Sequence, residues 1–196
     1  MSSKGVATRE RILDTAFLLA AREGIEGLSL GQLAGELGLS KSGLFAHFGS
    51  KEELQAATLL AAAERFKQSV VLPALLKPRG IPRIKALFDG WVKWAVSPQA
   101  PGGCIFVAAA VELDDREGPL RDLLVAQQRE LLAALARAAR IAIEERQLRK
   151  GLDVEQFAFE LYSLMLGLNH ARRLLREPRA EKRAREAFHR LIQSST

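Results

Sequence analysis

Three histidines, one cysteine and a short run of acids are the side chains here whose types could do chemistry, and their spacing argues against catalysis. His47, His170 and His189 stand far apart, and no nucleophile–base pattern surrounds any of them. The chain has neither Cys/His pairs at metal-ligand spacing nor a phosphate-binding glycine loop. The reading is therefore not an enzyme, with no cofactor. Glu112, Asp114 and Asp115 could suggest a metal, but an acidic loop before a helix start needs none, because it complements the helix dipole. Cys104 follows Gly102-Gly103 at an expected helix N-terminus, where a thiolate is favoured and a redox sensor is conceivable. The competing reading is a buried small hydrophobe.

The remaining chemistry is that of binding. Ser40, Lys41, Ser42, Gly43, Ala46 and His47 form a cluster of small or polar residues, interrupted by Leu44 and Phe48 at buried helical spacing. A helix built this way can lie close to base edges, provided a preceding helix braces it across a tight turn. The surrounding sequence supplies such a brace. Leu33, Ala34, Leu37 and Leu39 complete an apolar core, and Gly38 supplies the turn.

Helix starts and stops locate the elements. Thr8 can cap a helix over about 9–23 with an apolar stripe from Ile12 to Ala20, ended by Gly24. Ser29 with Gln32 reads as a capping box opening a short helix to Leu37. Ser40 caps a helix over about 41–47. Ser50 with Glu53 opens a long helix reaching about Val71, before a break at Pro73, Pro78, Gly80 and Pro82. Further helices are expected over about 82–97, 104–113, 119–145, 154–176 and 179–193. They are separated by Pro98, Pro101, Gly102 and Gly103, by the Asp114–Gly118 loop, by Gly151 and by Pro178. Strand patterns are nearly absent, so the fold class is all-α.

The stretch Leu33-Ala34-Gly35-Glu36-Leu37-Gly38-Leu39-Ser40-Lys41-Ser42-Gly43-Leu44-Phe45-Ala46-His47-Phe48-Gly49-Ser50-Lys51-Glu52-Glu53-Leu54 closely resembles the helix-turn-helix signature of the tetracycline-repressor (TetR) family. Arg9 to Ala16 and Gly24-Ile25 match as well. The resemblance covers about residues 9–54; beyond it only length, helix content and layout agree. It implies a homodimer on a palindromic operator and a small-molecule effector bound in the C-terminal domain. Residue by residue it implies that Ser40, Lys41, Ser42, Gly43 and His47 face DNA. Ser29 and Lys51, at helix N-termini, suit phosphate. Phe45 stands where the family often has a tyrosine that touches phosphate; lacking the hydroxyl, it can still pack on sugar. Gly43 replaces a residue that commonly bears a side chain, so fewer bases are read directly there.

The organisation expected is a helix-turn-helix domain over 1–54 and a helical effector-binding and dimerisation domain over 55–196. Phe66, Phe88, Trp91, Trp94, Cys104 and Phe106 are the candidate lining of an effector cavity among the helices from about 51 to 145, suited to an apolar or aromatic ligand. Phe157, Leu161, Leu164, Met165 and Leu168, with Phe188, Leu191 and Ile192, are the candidate dimer face, because a helix apolar on two faces needs two partners. Of 196 residues 48% are hydrophobic, and the net charge is +6. That charge does not mark the DNA end: residues 1–51 hold six basic against five acidic residues, whereas residues 172–190 hold eight against three. A lone cysteine fits a reducing cytoplasm. Met1–Gly5 carry no apolar signal-peptide core, and no stretch approaches the roughly 18 apolar residues of a membrane span, so no membrane partner is expected. The resulting expectation is a ligand-responsive repressor, with a thiol-based redox regulator using Cys104 as the alternative.

Overall fold

The structure is a computed structural model that describes residues 3–97 and 102–196. It is all-α, with no strand among the described residues. Helices α1 (Ser3–Glu23), α2 (Leu30–Leu37), α3 (Lys41–Phe48) and α4 (Lys51–Phe66) follow one another. A π-helical turn (Lys67–Val71) and a last α-turn, α5 (Leu72–Leu75), extend α4. Then come α6 (Ile81–Val96), α7 (Ile105–Leu113), α8 (Pro119–Glu144), α9 (Val154–Arg173) and α10 (Ala180–Ser195). Two compact units form. The first takes the described residues of 1–65 and 97–125, the second residues 66–96 and 126–196.

Three element ends differ from the sequence expectation, each for a local reason. Thr8 is no N-cap, because α1 already begins at Ser3. Only Gly5 opposes helix there, at a cost of about 1 kcal/mol. Pro73 does not end the long helix. The π turn precedes it, with Leu72 N–H bonded to Lys67 O, and the wider ring lets the chain continue into a proline-bearing first turn. Helix α9 ends at Arg173 rather than 176, since Pro178 disfavours helix at the residue before it and Arg176 turns left-handed at φ 52°. The expected breakers Pro98 and Pro101 lie outside the described residues.

In the first unit, Ile12, Leu13, Ala16 and Leu19 of α1 meet Leu28, Leu33, Ala34, Leu44, Phe48 and Leu54 in one buried cluster. The second unit centres on Phe88 of α6, which stacks on Phe188 of α10 with ring centroids 4.3 Å apart. Beside that stack the Arg185 guanidinium reaches Asp89 at 2.5 Å and Glu181 at 2.9 Å. Gly90 allows α6 close to the π turn; a Cβ there would lie 3.0 Å from Cγ1 of Val70. Phe188→Ala should remove one wall of the stack and lower stability by about 3–5 kcal/mol, read as a lower midpoint in urea unfolding.

Candidate functional site

The face that could meet nucleic acid is built by α2 and α3. Ser29 caps α2, its Oγ accepting from Gln32 N–H at 3.1 Å. The reciprocal half of the expected capping box does not form: the Gln32 amide instead donates to both carboxylate oxygens of Glu23, at 3.1 and 3.0 Å. Arg22 and then Gln32 hold that carboxyl below its ordinary pKa. Gly38 ends α2 in the left-handed region at φ 64°, and Leu39 N–H returns to Ala34 O at 2.9 Å. Ser40 then caps α3 by accepting from Gly43 N–H at 3.0 Å and lies 3.1 Å from the Ser42 hydroxyl. The turn between the two helices is thereby fixed by backbone and side chain together.

Helix α3 buries Leu44 and Phe48 and turns Lys41, Ser42, Phe45 and Ala46 outward, with Gly43 and His47 half-buried. Phe45 leaves 45% of its surface open, consistent with a ring available to pack on sugar. At Gly43 an added Cβ would meet only Ser40 Oγ, at 3.1 Å, so the helix surface is flat there. Lys41 crosses to the start of α2: a Cβ on Gly31 would sit 3.3 Å from its Cε and 3.6 Å from its Nζ. An ammonium beside a helix N-terminus is a setting for phosphate. From behind, Arg9 of α1 lies over the Phe48 ring, 4.9 Å from its centroid, and Arg11 donates to Leu37 O at 3.4 Å.

Lys51 has an engagement that the sequence did not suggest. Its Nζ donates to Glu26 O at 2.8 Å, so in this structure the ammonium secures the loop between α1 and α2. Three further groups grip the same loop. Buried Gln55 donates to Ile25 O at 2.8 Å, Glu112 of α7 accepts from Glu26 N–H at 2.7 Å, and Arg116 pairs with the Glu26 carboxylate at 2.6 Å. Gly24, at φ 89°, leaves the space that Glu112 fills; a Cβ would stand 2.1 Å from its Oε1. These partners are up to 90 residues apart, and no local pattern marks them. Glu112 thus has a structural employment, and no group of three metal-capable side chains occurs among the described residues.

The candidate effector residues divide. Phe66 and Trp94 meet edge to face at 5.5 Å in the second unit. Trp91 is buried there, and Phe88 is core by virtue of its stack on Phe188 rather than free lining. Cys104 and Phe106 belong to the first unit. The Cys104 thiol is buried, which is the setting of a structural cysteine rather than of a sensor open to oxidants.

The candidate dimer face divides by burial. Phe157, Leu161, Met165, Leu168 and Phe188 are all buried within the single chain, so they are core and cannot be first contacts with a partner. Leu191 is buried as well, and Leu164 and Ile192 are half-buried. The exposed apolar residues of α9 are instead Phe159 at 62% and Leu166 at 36%. A groove of about 430 Å³ runs beside Phe159, between Leu164 of α9 and Ala187 and Leu191 of α10.

A capped pair of short helices across a left-handed glycine is the geometry of a helix-turn-helix. The family models agree. "Bacterial regulatory proteins, tetR family" matches residues 12–58, and "Tetracyclin repressor-like, C-terminal domain" matches residues 80–188. The chain belongs to the TetR family of transcriptional regulators, whose members bind DNA and are not enzymes. Solved relatives extend this over the whole fold. A TetR transcriptional regulator from Chloroflexus aurantiacus shares 26% identity, with 98% of this chain and 96% of that one covered and a TM-score of 0.87. A TetR-family regulator from Cytophaga hutchinsonii shares 20%, covering 100% and 98%, with a TM-score of 0.86. AibR, solved with isovaleryl coenzyme A and operator DNA, shares 22%, covering 82% and 85%, with a TM-score of 0.69. No curated protein sequence matches the chain.

Lys41→Ala is expected to weaken binding to every DNA sequence alike and to reduce the slope of log affinity against log salt by about one. Fluorescence anisotropy on one duplex across a salt series measures both. An unchanged slope would take Lys41 off the phosphate backbone.

Proposed function

We propose that this regulator is a ligand-released repressor acting in the cytoplasm. It binds a palindromic operator as a homodimer through α3 and lets go when a small apolar or aromatic molecule binds in its helical domain. The observation that carries DNA recognition is the outer face of α3, where Lys41, Ser42, Phe45 and Ala46 stand exposed above a rigid core. Ser29, Ser40, Gly43 and His47 complete the contact, and Lys51 adds to it by holding the loop behind α2. AibR, with a ligand and operator DNA together, supports a two-partner reading.

Dimerisation is assigned to α9 and α10. Phe159, Leu166 and the groove beside Leu164 and Leu191 offer an apolar surface that a second copy covers, and the arginines flanking it form a solvated rim. A two-fold protein then reads two half-sites at fixed spacing, so any change in the separation of the two α3 helices costs contacts on one side.

Helix α7 is tied to the helix-turn-helix within the first unit. Its Glu112 holds Glu26, in the loop that leads into α2. Linkage is reciprocal, so the operator and the effector each change the other's affinity by the same factor. Selection of genomic DNA fragments by the protein should return a palindrome; enrichment of sequences without two-fold symmetry would end the dimeric-operator reading. Phe159→Glu should give a monomer by light scattering and bind the operator at least tenfold more weakly. Operator binding should slow amide exchange across Ile105–Leu113 in the native protein, and Glu112→Ala should abolish that slowing. Equal slowing in both proteins would remove α7 from the path.

A further inference from the structure

Helix α8 carries a polar side chain that the fold leaves without a partner. Both amide atoms of Gln127, Nε2 and Oε1, are closed off from solvent, and neither has a hydrogen-bond partner among the described residues. Its neighbour Gln128 makes the contrast, since its Oε1 accepts from the Tyr162 hydroxyl at 2.6 Å. Gln127 lies on the same helical stripe as Leu131 and Leu135, four and eight residues on, and Leu135 is fully buried. Buried polar side-chain atoms in native proteins are nearly always paired, and an unpaired one is destabilising. Two unpaired atoms on one amide, on an apolar stripe, therefore point to a partner that arrives from outside the chain.

We propose that Gln127 is the polar anchor of the effector site. The inference rests on the effector reading above and deepens it by naming the chemical class of the ligand. A carboxamide offers one acceptor and two donors, with the acceptor and a donor side by side. Its complement is an uncharged group presenting a donor beside an acceptor, as in a primary carboxamide or a lactam. A carboxylate can satisfy Nε2 but sets its oxygens against Oε1. An aliphatic or purely aromatic ligand satisfies neither atom. The effector is thus an apolar body that carries one neutral amide-like head.

The test uses the full-length protein, Gln127→Leu and Gln127→Met, with benzamide, toluene and benzoate as probes. Without any probe, both variants are expected to melt several degrees higher than the native protein, because the unpaired amide is gone. A lower melting point in both would mean that the amide is structurally satisfied and would overturn the anchor. In calorimetry, the native protein should bind benzamide at least tenfold more tightly than toluene or benzoate, and both variants should lose that preference. Benzamide preference retained in the variants overturns the anchor. Equal binding of benzamide and toluene by the native protein also overturns it, while toluene binding that releases DNA leaves the effector reading standing. No binding of any probe overturns the amide class, and the effector reading falls with it if an unbiased screen for DNA-releasing compounds also returns none.

Discussion

The outer face of α3 depends on one small core being shared by four helices. Leu33 and Ala34 from α2, Leu44 and Phe48 from α3, and Leu54 from α4 all close on Ile12, Leu13, Ala16 and Leu19 of α1. Helices of eight residues are too short to persist alone in water, so α2 and α3 exist because that core holds them. The same burial sets the rotation of α3. With Leu44 and Phe48 inward, Lys41, Ser42 and Phe45 have only the outward side left. Recognition chemistry is therefore a by-product of apolar packing, and a core substitution that rotated α3 by one residue would move every contact at once.

The α1–α2 loop is the second constraint, and it explains why the first compact unit includes residues far along the chain. A loop with exposed peptide groups would need water; this one has Lys51, Gln55 and Glu112 on three successive backbone groups, from Ile25 O to Glu26 N–H and Glu26 O. Gly24 is required there twice over, by its left-handed φ and by the carboxylate occupying its Cβ position. A packed glycine also governs the approach of residue 102, where a Cβ would lie 1.1 Å from Ala21 O. These contacts make α7 a structural part of the DNA-binding end.

Much of this was legible in the sequence, and what was legible is local. Ser29, Ser40, Ser50 and Gly38 announce helix ends because a cap acts on groups two or three residues away. The fold class, the helix order and the outer face of α3 follow from such signals and from helical periodicity. What periodicity cannot report is the identity of the partner that buries a residue. Phe157, Leu161, Met165 and Leu168 are apolar at the right spacing for an interface, and their partner is the chain's own core. The open residues, Phe159 and Leu166, sit one or two positions aside, a difference of about 100–200° around the helix. Glu112 and Gln127 were invisible for a related reason, since their significance lies in which distant atoms do or do not reach them.

An unpaired buried amide and a gripped loop have opposite energetic characters, and a switch benefits from both. The loop contacts are satisfied, so Ile25 O, Glu26 N–H and Glu26 O are all paired within the chain. The amide is unsatisfied, so the ligand-free helical domain carries a deficit that a matching ligand can relieve. A ligand shifts an equilibrium only by its differential affinity for the two states, and typical couplings are about 1–3 kcal/mol. Satisfying a donor and an acceptor that the protein cannot satisfy itself is of that order. If the DNA-competent state keeps Gln127 from meeting a ligand head while the released state allows it, the pairing alone supplies the bias. Specificity follows from the same atoms, because a molecule lacking the complementary head would bury against the amide without relieving it and would bind both states alike.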